Sequence, residues 1–161
     1  MEALSRGATD GMKLAANVGA MLIAFVAFTA LINGIFGLIG LTIQDILGII
    51  FQPLAWTMGV PWHEADILGQ LMGEKLVLTE LIAYTDLGQL ISNNAISDRT
   101  AIIASYALCG FANFASIGIQ LGGISGIAPK RRKDVAKIAL KAMIAGALAS
   151  WLTATLAGII I

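Results

Sequence analysis

Three polar side chains in an otherwise apolar chain are of the types that bind a hydroxyl-bearing solute. They are Glu80, in a polar segment at residues 62–94, and Asn113 and Ser116, near the middle of an apolar segment at residues 98–128. A carboxylate accepts hydrogen bonds and an amide both donates and accepts, so the two together can bind a pair of sugar hydroxyls. The same groups would also suit an amino acid or an ion, and the residue types alone leave these alternatives open.

Asn113 and Ser116 belong to a segment that is predicted to form a discontinuous helix over residues 98–128. Ser97 before it is of the type that caps helix N-termini. Glycine and polar residues interrupt the apolar sequence at residues 110–116, where a break is expected. If the backbone stays helical there, Asn113 and Ser116, spaced i and i+3, share one face.

Glu80 lies in residues 62–94, which are helical in pattern but too polar to cross a membrane in contact with lipid. The charged residues of this segment are Glu64, Asp66, Glu74, Lys75, Glu80 and Asp86. The apolar arms on either side of its polar centre are about 10–13 residues long, too short to span. We therefore predict a re-entrant helical hairpin that turns at membrane depth within the protein. Transporters hold their substrates at hairpins and broken helices of this kind.

The rest of the sequence predicts helices that cross the membrane. Runs without Asp, Glu, Lys or Arg cover residues 14–44, 100–129 and 142–161, and about 20 apolar residues suffice to cross the hydrocarbon core. Hydrophobic residues make up 58% of the chain and charged residues 12%, about half the charge of a soluble domain. The predicted fold class is all-α: a polytopic membrane protein with transmembrane helices, an interfacial helix, a re-entrant helical hairpin and a discontinuous helix.

The predicted domain organisation divides the chain at residue 61. Residues 1–61 form a scaffold, with a polar lead-in, a first span at about 16–40 and an amphipathic interfacial helix that contains prolines and tryptophans. Residues 62–161 form half of a transport domain: the hairpin 62–94, the broken helix 98–128 and a last span at 134–161.

The basic loop from Lys130 to Lys133 sets the predicted orientation. The positive-inside rule places this loop in the cytoplasm. The C-terminus at Ile161 is then outside the cell, and the first span begins on the cytoplasmic side. The basic residues Arg6 and Lys13 near its start are consistent with that side. The predicted location is the cell (cytoplasmic) membrane of a bacterium.

Several other functions are excluded or reduced to structural roles. Ten acidic residues balance ten basic ones, which indicates no nucleic-acid partner. The catalytic, zinc and phosphate-loop motifs of enzymes are absent from the sequence, so we expect no enzyme. Cys109 is expected to be a packed small hydrophobe and His63 a solvated interface residue.

The polar candidates also have structural interpretations. Glu80 could pair with Lys75, although Lys75 is better suited to bind C-terminal helix carbonyls at the hairpin tip. Asn113 and Ser116 could form interhelical hydrogen bonds, and Phe111 could be a core residue.

Two motifs favour a binding role, because they resemble the concentrative nucleoside transporters. Residues 73–84, GEKLVLTELIAY, resemble the family signature. That signature begins with Gly or Ala, any residue and Lys. Three residues of any type follow, then Asn-Glu-Phe-Val-Ala and finally an aromatic residue or Met. Thr79, Leu81 and Ile82 depart from it. Residues 106–120, YALCGFANFASIGIQ, are similar to the family's other strong block. The likeness extends from about residue 7 to 161 and covers only the C-terminal portion of a family member.

The resemblance implies a homotrimeric secondary transporter that imports nucleosides with a cation gradient, of which this chain is the C-terminal substrate-binding half. It implies that Glu80, Asn113 and Ser116 hold the ribose and that Phe111 packs near the base. The coupling cation, Na+ or H+, would be bound mainly by the unmatched half, with no other cofactor and no metal site here. The implied partners are the nucleoside, the lipid bilayer and two further copies. The alternative is a non-transporting membrane module, either a truncated paralogue or an assembly subunit, depending on whether Met1 is a native start.

Overall fold

The computed structural model describes residues 2–161, except for the side chains at positions 21, 22, 25, 39, 125–127 and 129. All regular secondary structure in this part of the chain is helical, which confirms the all-α class. The helices are α1 (Glu2–Phe36), α2 (Ile43–Thr57), α3 (Trp62–Val77), α4 (Glu80–Ser92), α5 (Asp98–Leu108), α6 (Phe114–Ile127) and α7 (Arg132–Ile160). Short 3-10 turns occupy Gly37–Ile39 and Pro129–Arg131. Met1 lies outside the described residues.

The first helix is longer than the span expected from the sequence. The predicted polar lead-in is part of α1, where Arg6 and Glu2 form an ion pair of 3.2 Å one turn apart that supports helix formation. Among the described residues, α7 is the one helix long and apolar enough to cross a membrane, and shorter apolar stretches lie at Val26–Phe36 and Phe114–Ile124.

Helices α2 and α3 pack against each other at glycines. A Cβ atom added to Gly69 would lie 2.5 Å from the carbonyl oxygen of Gly48, and one added to Gly73 would collide with Leu47. Only residues 58–61 connect the two helices, so they run antiparallel. The predicted interfacial helix therefore packs on the hairpin, while the grouping of residues 1–61 as a scaffold stays a prediction.

The predicted hairpin at residues 62–94 is present as two packed helices. Helix α3 ends at Val77, α4 begins at Glu80, and the two helices contact each other. Only Leu78 and Thr79 separate them, in extended or irregular conformations. The turn therefore lies within the signature motif.

Polar contacts fix the open end of the hairpin to the neighbouring helices. The backbone N–H and hydroxyl of Ser97, the N-cap of α5, donate to the Glu64 carboxylate at 3.1 and 2.8 Å. The Arg99 guanidinium donates to the carbonyls of Gly59 and Gly158 at 3.0 and 2.6 Å. Arg99 thus joins the α2–α3 turn to the end of α7.

The predicted discontinuous helix is confirmed, because non-helical residues 109–113 separate α5 from α6. Both sides of the break contact α7. The buried core beside it comes from α3, α5 and α7, with Met72, Leu108 and Trp151 among its members. Trp151 also packs against Phe51 of α2, with ring centroids 5.4 Å apart and the ring planes tilted by 58°. The break is thus held in a packed environment.

Candidate functional site

The site is built where the N-termini of two helices meet. Glu80 is the first residue of α4, and Asn113 is the N-cap of α6. The Asn113 side-chain amide donates to the Glu80 carboxylate at 2.9 Å, across 33 residues of sequence. Helix N-termini carry partial positive charge and unpaired N–H groups, which favour a carboxylate. The fold therefore brings together the two residues predicted to bind substrate and supports a negative charge between them.

Ser116 holds the Asn113 side chain in place. The Asn113 amide oxygen accepts the backbone N–H of Ser116 at 2.7 Å, and the Ser116 hydroxyl accepts the backbone N–H of Asn113 at 3.2 Å. This reciprocal capping box satisfies two backbone donors at once. The Ser116 hydroxyl also donates to the Asn113 carbonyl at 2.6 Å. Ser116 thus orients Asn113.

Hydrogen-bonding capacity remains at the pair. A side-chain amide has two N–H hydrogens and a carboxylate has two oxygens. The described contacts use one Asn113 hydrogen and Oε2 of Glu80. Asn113 is fully buried, whereas Glu80 is partly exposed. Glu80 can therefore accept a hydrogen bond from a ligand hydroxyl, whereas the second Asn113 hydrogen is covered here and would have to be uncovered to donate to a neighbouring hydroxyl.

A buried cation lies where the C-terminal ends of α3 and α5 meet. Lys75, in the last turn of α3, is fully buried, and its ammonium donates to the carbonyl of Ala107 in the last turn of α5 at 3.2 Å. Lys75 therefore binds a carbonyl at a helix C-terminus, as predicted, but this carbonyl belongs to α5 and not to the tip of the hairpin. Within residues 2–161 no Lys75–Glu80 ion pair forms within 4.0 Å, so the simple pairing of these two residues does not occur.

Ser150 of α7 supports the break and was not predicted from the sequence. Its hydroxyl lies 2.9 Å from the carbonyl oxygen of Cys109, which the break leaves without a helical partner. A Cβ atom on Gly110 would collide with this hydroxyl. Its sequence signal is weak: Ser150 is one of the hydroxyl residues within the apolar last span.

Cys109 itself differs from the prediction. Its side chain is exposed rather than packed. The reason is that α5 ends at Leu108 and Cys109 adopts an extended conformation (φ −69°, ψ 94°), so it no longer follows the buried face of the helix.

Phe111 and Ser116 line a cavity of about 500 Å³ between the break, α6 and α7. The Phe111 residue is 52% exposed, which excludes the interpretation as a core residue in this structure. The remaining walls are largely apolar and include Ile117, Ile138 and Met143. An apolar cavity with few polar groups at one end is typical of small-molecule sites.

The hairpin and the broken helix, meeting at a polar pair within a helical membrane fold, define the transporter class. A profile of the family described as "Na+ dependent nucleoside transporter C-terminus" matches residues 1–158. The chain therefore belongs to the Na+-dependent nucleoside transporter family, and its sequence corresponds to the C-terminal portion.

Individual relatives agree with this assignment. The chain is 51% identical to an uncharacterized transporter, YutK, of Bacillus subtilis, and 40% identical to the nucleoside permease NupC of Helicobacter pylori. In both comparisons it is covered completely but spans 41% of the relative. It is 40% identical to sodium/nucleoside cotransporter 1 of Mus musculus, covering 99% of this chain and 28% of that protein.

Solved structures show the same fold. CNTnw in an inward-facing substrate-bound state has a TM-score of 0.82 and 50% identity over 96% of this chain and 38% of that one. A CNTnw variant in an intermediate state has a TM-score of 0.89 and 48% identity over 98% of this chain and 41% of that one. The chain spans about two fifths of the length of these relatives.

Proposed function

We propose that this chain is the C-terminal, substrate-binding half of a cation-coupled nucleoside importer. The observation that supports this most directly is the 2.9 Å hydrogen bond between Glu80 and Asn113, which joins two helix N-termini beside an apolar cavity. The names of the nucleoside permease and cotransporter relatives give the substrate class.

In this proposal the ribose binds at the Glu80–Asn113 pair. One ribose hydroxyl donates to the Glu80 carboxylate, and the neighbouring hydroxyl accepts the second amide hydrogen of Asn113. Ser116 positions Asn113 through the capping box and takes part in the site mainly in that way. Phe111, exposed at the cavity, packs near the base, since an aromatic ring can stack on a nucleobase.

The remaining features follow from the sequence predictions. The coupling cation, Na+ or H+, is bound mainly by the half of the transporter not matched here, and no catalytic chemistry takes place. The chain assembles as a homotrimer in the cell membrane of a bacterium, with residues 1–61 as its scaffold and the C-terminus outside.

The proposal can be tested with a chimera in which this chain replaces the matched 38% of CNTnw. We expect the chimera, reconstituted in liposomes, to accumulate uridine when a cation gradient is applied. Asn113→Ser keeps an N-cap residue but removes the amide donor. Uptake should fall by about tenfold, because a ribose hydroxyl then lacks its hydrogen-bond partner. Asn93→Ala, an exposed amide at the open end of the hairpin, is the matched control and should leave uptake unchanged.

A chimera that assembles normally but shows no gradient-dependent uptake would contradict the proposal. That result would favour the alternative of a non-transporting membrane module.

A further inference from the structure

A groove runs between α1 and α6, away from the Glu80–Asn113 pair. Two adjoining cavities of about 420 and 460 Å³ form it, and they share Leu14, Asn17 and Gly122. Residues of α1 with rising numbers lie beside residues of α6 with falling numbers, so the two helices are antiparallel along the groove. One end reaches Asp10 and Lys13, and the other reaches Ala20 and Gly118.

The groove is open because its α6 wall contains glycine. A Cβ atom added to Gly122 or Gly123 would contact nothing within 4 Å. Val18 and Ile119 add apolar surface. The two cavities and the open space at these glycines leave room for a hydrocarbon chain alongside α6.

One basic side chain lines each of the two cavities. Arg132 lines the cavity that also contains Val18 and Ile119, and Lys13 lines the adjoining cavity together with Asp10, the acidic residue among its described walls. Neither Lys13 nor Arg132 forms a hydrogen bond or ion pair within the described part of the chain. Arg131, next to the groove, is already paired with Asp134 at 3.0 Å. Arg132 is thus an unpaired cation at the more apolar cavity, and Lys13 is a second unpaired cation at the adjoining one.

We propose that this groove binds an anionic phospholipid of the inner leaflet. The phosphate group is bound by Arg132, whose guanidinium offers paired N–H donors, and Lys13 in the adjoining cavity adds positive charge. One acyl chain lies along Val18, Gly118 and Ile119. The cytoplasmic leaflet contains anionic lipids that attract basic segments near the membrane, and the positive-inside rule places Arg132 at that face.

Native mass spectrometry of the CNTnw chimera tests this proposal independently of transport. The detergent-solubilised protein is mixed with equal amounts of dioleoyl-phosphatidylglycerol and dioleoyl-phosphatidylcholine. We expect the protein to retain phosphatidylglycerol preferentially. Arg132→Gln should reduce this retention about fivefold, because one basic residue near an anionic headgroup contributes about 1 kcal/mol. Lys133→Gln, an equal loss of charge at an exposed neighbour outside the groove, should change retention little.

A second variant tests the space rather than the charge. Gly122→Leu fills the groove and should lower phosphatidylglycerol retention although every charge remains. Gly88→Leu adds the same bulk on α4, where there is also no neighbour within 4 Å, and should have no effect. Equal retention of both lipids, or equal losses in Arg132→Gln and Lys133→Gln, would overturn the proposal and indicate that protein from the rest of the transporter fills the groove.

Discussion

The Glu80 carboxylate accepts a 2.9 Å hydrogen bond from the Asn113 amide, and this contact joins the first residue of α4 to the N-cap of α6. A charged side chain at the bilayer centre costs about 2.5–3.5 kcal/mol on insertion scales, a large part of a protein's marginal stability. Two helix N-termini and a donated hydrogen bond offset that cost. The contact therefore offsets the cost of placing a carboxylate among apolar helices, and Glu80 remains partly exposed.

Removing the Ser150 hydroxyl should destabilise the break between α5 and α6. Ser150→Ala removes the 2.9 Å hydrogen bond to the Cys109 carbonyl, and a typical intramolecular hydrogen bond contributes about 0.5–1.5 kcal/mol. Thermal unfolding in detergent should show this loss. Thr153→Ala removes a hydroxyl from the exposed side of the same helix and should be nearly neutral. Equal effects of the two substitutions would mean that Ser150 does not hold the break.

The contact between α2 and α3 should not tolerate a methyl group. In Gly69→Ala the added Cβ lies 2.5 Å from the Gly48 carbonyl oxygen, so one helix must move, at a cost of about 1–3 kcal/mol. The same substitution at Gly88, which has no neighbour within 4 Å, should be neutral or stabilising because alanine favours helix. A melting temperature unchanged by Gly69→Ala would disprove the close packing.

Glu64, at the open end of the hairpin, should contribute stability that depends on pH. Burial raises the pKa of this carboxyl, but hydrogen bonds from Thr100 and Ser97 outweigh burial, so the pKa lies below its ordinary value of 4.5. A lowered pKa stabilises the folded state above pH 4.5, and the contribution disappears as the pH falls through the folded-state pKa.

We therefore expect Glu64→Gln to lower the melting temperature at pH 7, and the difference from the wild type to shrink as the pH falls below 4.5. Glu2→Gln, at an exposed ion pair, serves as the control and should have little effect at any pH. A difference for Glu64→Gln that stays constant with pH would exclude this account.

The orientation of the chain can be tested by cysteine labelling. Cys109 is exposed, so it is first replaced by Ala. Lys133→Cys should then react with a membrane-impermeant maleimide only after the cells are permeabilised, because the basic loop is predicted to be cytoplasmic. Ala95→Cys, exposed at the open end of the hairpin, should react in intact cells. Labelling of Lys133→Cys from outside would reverse the predicted topology.

Local sequence patterns were sufficient to predict the interruptions of the helices. The glycine and polar residues at 110–116 predicted a break, and the structure places it at 109–113. The charges of residues 62–94 predicted a hairpin, whose turn lies at Leu78 and Thr79. These features follow from the cost of polar groups in lipid, which acts on each segment by itself.

Local sequence patterns could not predict which distant segments contact each other. The hydrogen bond from Asn113 to Glu80 and the bond from Ser150 to Cys109 each join residues far apart in sequence. Helical periodicity specifies the face of one helix but not its neighbour. The motif resemblance identified Glu80 and Asn113 as one site, whereas Ser150 belonged to neither motif and was missed.

The most direct test of the account is the binding of uridine and 2′,3′-dideoxyuridine to the CNTnw chimera carrying Glu80→Gln. Glutamine keeps the shape of the side chain but not its charge, and a hydrogen bond to a charged group contributes about 1.5–3 kcal/mol. We predict that the Kd for uridine rises by about tenfold or more, while the Kd for the dideoxynucleoside, which lacks both hydroxyls, changes far less. Equal losses for the two ligands would contradict the assignment of Glu80 to the ribose.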